Sequence, residues 1–124
     1  MIEASCHCGE VRVRVPATPD TVTSCNCSIC RRLGTLWAYY PEEEVEVLAA
    51  AEATSAYVWG EGRLGFHHCR GCGCTVFWRG VDPAWKGREG VRRMGVNARL
   101  MPPEAVADVR IRHLDGADTW TYLD

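Results

Sequence analysis

Lysine is nearly missing from this chain. Of its 14 lysines and arginines only Lys86 is a lysine, and 16 acidic residues leave a net charge of -2. No broad basic face follows from that balance, so nucleic acid is not an expected partner, although the arginines could form a local patch. Residues 1–15 hold no apolar stretch of the kind that forms a secretory leader. No run approaches the roughly 20 apolar residues that a membrane-spanning helix needs. A cytoplasmic protein without a membrane partner is the expectation. Low-complexity tracts, disordered tails and linkers are also lacking. With 124 residues there is room for one modest core, so residues 1–124 are expected to form a single domain.

Cysteine, by contrast, is abundant. Eight cysteines fall into three clusters: Cys6/Cys8, Cys25/Cys27/Cys30 and Cys69/Cys72/Cys74. A disulfide scaffold would be shorter and would spread its cysteines at loop-sized intervals, and an oxidising compartment is not expected here. Metal thiolates in a reducing compartment are the better reading. The centre of the chain is Cys25-Asn26-Cys27-Ser28-Ile29-Cys30, followed by Arg31, Arg32 and Gly34. Tetrahedral zinc holds sulfurs ~2.3 Å from the ion, hence roughly 3.8 Å from one another. A bent C-x-C segment can reach that separation, and an x-x-C turn brings in a third thiol. The segment supplies no fourth ligand of its own. Three protein ligands and an open position mark a catalytic zinc, whereas four mark a structural one.

Periodicity points to a β-rich chain with little helix. Val11, Val13 and Val15 alternate with Arg12 and Arg14, so residues 2–15 read as strand, cysteine turn, strand. Residues 21–24 lead as a short strand into the triplet. Residues 29–34 suit one helical turn ended by Gly34. Strands are expected at 36–40, 45–47, 56–59, 75–78, 91–96 and 109–114, with turns at 60–65 and 115–116. Residues 49–53 favour helix by propensity, and 81–90 read as an exposed loop. The clearest helix is expected at 102–107, where proline is tolerated in the first turn. Trp120 and Tyr122 fall on a last short segment.

Several side chains compete for the open position. Cys74, His67, His68 and His7 could each complete the triplet, or Cys74 could simply be a small buried residue at a strand start. His67 and His68 adjoin Cys69, which places at least one near a metal, with packing a better expectation than general-base work. Arg31 and Arg32 could offset thiolate charge or receive a substrate carboxylate; solvated surface arginines are the default. Trp37, Tyr39, Tyr40, Trp59 and Trp78 are expected mostly in the core, with one or two walling a pocket.

Three stretches together resemble the glutathione-dependent formaldehyde-activating family, which includes centromere-protein-V-like domains. They are Cys6-His7-Cys8-Gly9, Cys25-Asn26-Cys27-Ser28-Ile29-Cys30-Arg31-Arg32, and Phe66-His67-His68-Cys69-Arg70-Gly71-Cys72-Gly73. Order, internal spacing and flanking residues all agree, with a weaker echo at Val96-Asn97. The resemblance implies a β-tent-like fold of short antiparallel sheets. It implies a structural zinc on Cys6, Cys8, Cys69 and Cys72, and a second zinc on Cys25, Cys27 and Cys30, with Cys74 a possible extra ligand. Two zincs per chain are therefore expected, the second one labile.

The resemblance also implies a reaction, the addition of the glutathione thiol to formaldehyde to give S-hydroxymethylglutathione, formally a carbon–sulfur lyase run backwards. Three thiolates around zinc leave about one net negative charge, which favours thiol binding and transfer over strong carbonyl activation. The expected partner is a small-molecule thiol, with glutathione the first candidate. This chain looks shorter than formaldehyde-activating members, and no glutathione-binding residue can be matched one by one. The rivals are a non-catalytic zinc module binding protein or nucleic acid, and a thiol or zinc-stress sensor.

Overall fold

The computed structural model describes residues 1–87 and 90–124. Among them the strands form two sheets. The smaller has three strands in the order β1 (Ile2–Ser5), β2 (Arg12–Val15), β5 (Glu46–Leu48). Val11, Val13 and Val15 are fully buried while the intervening arginines face outward, as the alternation requires. Arg12 and Arg14 both reach Glu3 across the β1–β2 pair.

The larger sheet holds β3 (Thr21–Cys25), β4 (Trp37–Pro41), β6 (Thr54–Val58), β7 (Leu64–Cys69), β8 (Thr75–Gly80), β9 (Arg93–Asn97) and β10 (Arg110–Leu114). Their spatial order is β10-β3-β4-β9-β8-β7-β6. Pairing is antiparallel throughout except at one edge, where β10 runs parallel to β3 with Leu114 opposite Cys25. That exception matters, because it carries the chain end to the central cysteines. The main core lies between the sheets, with Val76, Phe77, Met94 and Val96 buried against the valines of β2. Burying each such side chain contributes roughly 1.5–3 kcal/mol.

Helix is scarce. The helical turn α1 (Cys30–Leu33) ends at Gly34, whose φ of 68° lets its N–H return to the Cys30 carbonyl at 3.0 Å. The second, α2 (Pro103–Val106), begins with proline as expected. Residues 49–53 do not form an α-helix: only Ala51–Ala53 turns, as a single 3-10 turn, because β5 and β6 on either side leave no length for more. The expected turn at 60–65 is shorter, since Leu64 and Gly65 already pair in β7. Of the loop at 81–90, residues 88 and 89 lie outside the described residues. No helix among the described residues is long and apolar enough to cross a membrane.

Candidate metal centre and cavity

Two cysteine groups assemble from these elements. In the first, the turn between β1 and β2 supplies Cys6 and Cys8, while the end of β7 and the turn after it supply Cys69 and Cys72. Their sulfurs all lie within 4.8 Å of one another. Cys8 Sγ stands 3.7 Å from Cys6 Sγ and 3.6 Å from Cys69 Sγ. Those separations match the edge of a zinc tetrahedron, roughly 3.8 Å. Backbone amides point at the sulfurs: the N–H of Val11 donates to Cys6 at 3.3 Å and that of Cys72 to Cys69 at 3.5 Å. Such bonds stabilise thiolate over thiol. The Cys74 N–H, first among the causes, pushes the Cys72 thiol down to about 5.

The second group is Cys25, Cys27 and Cys30, all three buried, from the end of β3 and the start of α1. The Cys27 N–H donates to Cys25 Sγ at 3.5 Å and the Cys30 N–H to Cys27 Sγ at 3.4 Å. Cys30 also accepts the indole N–H of Trp37 at 3.3 Å. A hydrogen bond from Cys30 pushes the Cys25 thiol down to about 6, and the same bond pushes Cys30 well above the ordinary thiol range. Three thiols packed this closely lose their protons together only beside a cation. Gly116 completes the cradle: a Cβ there would sit 2.6 Å from Cys25 Sγ and 2.9 Å from Cys27 Cβ. All eight cysteines are free thiols, so no disulfide competes for either group. The donor sets fit zinc in both groups, four sulfurs in one and three in the other.

The remaining sequence candidates separate cleanly. Cys74 packs beside Cys72 and takes a hydrogen bond from the His7 backbone, on the side of the first group. His67 stacks on Phe77 with ring centres 4.5 Å apart and pairs with Thr54 through Nδ1 at 3.0 Å. Burial, with Arg79 nearby, pushes that imidazole down to about 4. Among the described residues no histidine joins either cysteine group. Arg31 and Arg32 are exposed, and Arg32 bonds the Ser28 carbonyl at 2.7 Å. They follow Cys30 around a helical turn at ~100° per residue, so the buried face that Cys30 occupies turns them outward.

The triplet lines a cavity of about 470 Å³. Its walls are aromatic: Trp37, Tyr39, Trp59, Phe66, Trp78 and Trp120. Trp37 and Phe66 lie 6.1 Å apart and Tyr39 and Trp78 5.9 Å apart, both pairs tilted. Burial raises the Tyr39 phenol well above its usual range, so it stays protonated. Among the described residues the cation lining this cavity is Arg63, which the sequence did not single out because one arginine in a glycine-rich turn carries no spacing signal. Gly116 and Trp120 were likewise invisible, since only the β10–β3 pairing brings them here.

A family model described as "Glutathione-dependent formaldehyde-activating enzyme" matches residues 1–109. A curated protein of Halomonas elongata, whose name gives it that same activity provisionally, is 35% identical over 94 residues. That match takes in 68% of this chain and 59% of the relative, so the chain spans less than two thirds of the relative's length. Among solved structures, a Rhodobacter sphaeroides protein superposes with a TM-score of 0.69 at 25% identity, over 88% of this chain and 98% of that one.

Proposed function

This chain belongs to the glutathione-dependent formaldehyde-activating enzyme family, and from that premise we propose that it binds two zinc ions and catalyses carbon–sulfur bond exchange between a thiol and a small aldehyde. The observation that carries the reading is the position of Cys25, Cys27 and Cys30 at an aromatic cavity, with no fourth ligand in that group among the described residues. Cys6, Cys8, Cys69 and Cys72 would hold a structural zinc, closing a loop of some sixty residues. Cys25, Cys27 and Cys30 would hold the second. A zinc bound there supplies a soft Lewis acid with one position left for a thiol sulfur.

The chain's own groups have three tasks. The Trp37 indole and the backbone N–H groups of Cys27 and Cys30 spread the negative charge of three thiolates. Trp78, Phe66 and Tyr39 keep water from the inner cavity, which limits hydration of the aldehyde. The open mouth lets solvent carry protons. In the synthetic direction a sulfur–carbon bond forms, the carbonyl π bond opens, and the thiol proton ends on the new hydroxyl oxygen; the lyase direction reverses each change. The reading takes residues 1–124 as one unit, which the pairing of β10 onto β3 supports. It takes the compartment as cytoplasmic, which the free thiols support.

Zinc content and exchange spectroscopy test it together. Elemental analysis of the native protein is expected to give two zincs per chain, and of Cys27→Ser one. Two-dimensional exchange NMR of a thiol mixed with formaldehyde is expected to show faster interconversion with native protein than with Cys27→Ser. Equal acceleration by both proteins, or one zinc in each, would overturn the reading.

A further inference from the structure

The cavity at the triplet is built for an apolar body. Among its described lining residues the only side chains with full charges, apart from the thiols, are Glu61 and Arg63, and these pair with each other at 3.0 Å. Both sit at the rim, 76% and 63% exposed. Glutathione carries two carboxylates and an ammonium group. Drawing those into walls of indole and phenyl would leave charges without partners, a cost that burial of its short aliphatic segments does not offset.

One wall lies outside the stretch that matches the family. Trp120 follows residue 109, where the family match ends, and is brought to the triplet by β10. Its backbone has φ +56°, the only non-glycine positive φ among the described residues. A bulky side chain in that conformation costs on the order of 1 kcal/mol or more and persists only where its surroundings impose it. They do so through a closed turn. The Trp120 N–H donates to the Asp115 carbonyl at 2.7 Å, the Asp115 N–H to the Thr121 carbonyl at 2.9 Å, and the Leu123 N–H to the His113 carbonyl at 2.8 Å. The result is an indole near Gly116, with 52% of its surface still exposed. Trp59 stands at the same cavity, 43% exposed. Large aromatic faces left half open at a cavity mouth mark a place where a ligand completes the burial.

We propose that this site takes a thiol, or its aldehyde adduct, whose body is uncharged and aromatic or branched-aliphatic, with Trp59 and Trp120 as its specificity walls. The proposal rests on the thiol–aldehyde reading above and names the substrate class of that same site. The sulfur would face the three cysteines and the apolar body would lie between the two indoles and Phe66.

Calorimetric titration of the zinc-loaded protein with three probes tests it: benzyl mercaptan, glutathione, and ethylbenzene as the sulfur-free isostere of the first. Benzyl mercaptan is expected to bind about tenfold or more tighter than glutathione. Trp120→Ala and Trp59→Ala, checked for fold by near-ultraviolet circular dichroism and for zinc by elemental analysis, are each expected to close most of that gap. Glutathione binding as tightly as benzyl mercaptan overturns the proposal. So does a gap unchanged in both variants. Ethylbenzene binding as tightly as benzyl mercaptan upholds the apolar site and overturns the thiol reading instead, so the two failures are distinct.

Discussion

The indole N–H of Trp37 donates to the sulfur of Cys30 at 3.3 Å, from a ring only 1% exposed. The bond joins the first residue of β4 to the first residue of α1 across the floor of the cavity. A neutral donor at a thiolate lowers the charge that a bound metal must balance, and it fixes the direction in which the sulfur's lone pairs point.

Replacing that donor while keeping the ring leads to the first prediction. Trp37→Phe retains the packing against Phe66 and removes the N–H. A zinc held by Cys25, Cys27 and Cys30, as proposed, should then be released to a chromogenic chelator at about tenfold lower competitor concentration, with one held by the four-cysteine group unaffected. Identical release from both proteins would mean the indole bond does not act on the metal.

The four-sulfur group links the first hairpin to the end of β7, so a metal held there should carry stability rather than catalysis. Cys69, fully buried, is the most sensitive member. Cys69→Ser, or removal of metal by a strong chelator, is expected to lower the melting temperature by about 10 °C or more, and zinc added back should restore it only in the native chain. A melting temperature indifferent to chelator would refute a structural role.

Gly116 gives a steric test. A Cβ at this position would stand 2.6 Å from Cys25 Sγ, and a sulfur that accepts from the Cys27 N–H and would also bind the proposed zinc has little room to retreat. Gly116→Ala should therefore cost the second zinc, giving one per chain, while the melting temperature changes little. Two retained zincs would show that the tail yields instead.

Acid should act on the tail through Asp115. Its carboxylate accepts from Asn26 Nδ2 at 3.1 Å and from the Thr119 hydroxyl at 2.9 Å, and these bonds, Asn26 first, hold it below the usual aspartate range. A depressed folded-state pKa means the attachment is present above the ordinary carboxylate range and lost as pH falls through the folded value. Carbon-detected NMR titration should find Asp115 titrating below a free aspartate, and Asn26→Ala should move it back up. No movement in that variant would mean the side-chain bond is not formed in solution.

Much of the scaffold could be read from local pattern. The valines of residues 11–15, the glycine ending α1 and the prolines opening α2 each act within a few residues, where period, φ preference and a missing N–H decide the outcome. The parallel setting of β10 was not legible, because it joins residues 89 apart in sequence and its alternation alone does not choose a neighbour. Arg31 and Arg32 drew attention by adjacency to the triplet, yet a helical turn sends successive side chains to different faces. Arg63 sits at the cavity although it lies more than thirty residues from Cys30, because β7 crosses near the floor that β4 shares with α1.

By itself, then, the sequence determined the chemistry on offer: eight thiols in clusters, bends of glycine and x-x-C spacing that can present them to a metal, and too few charges of one sign for a nucleic-acid face. Those are short-range properties, set by covalent geometry and local propensity. Which thiols meet, and what surrounds them, was decided only by the tertiary structure. Packing of the small sheet against the large one put Cys8 beside Cys69, and the parallel edge strand brought Gly116 and Trp120 over Cys25. The aromatic side chains gathered around it then made the space above the triplet apolar.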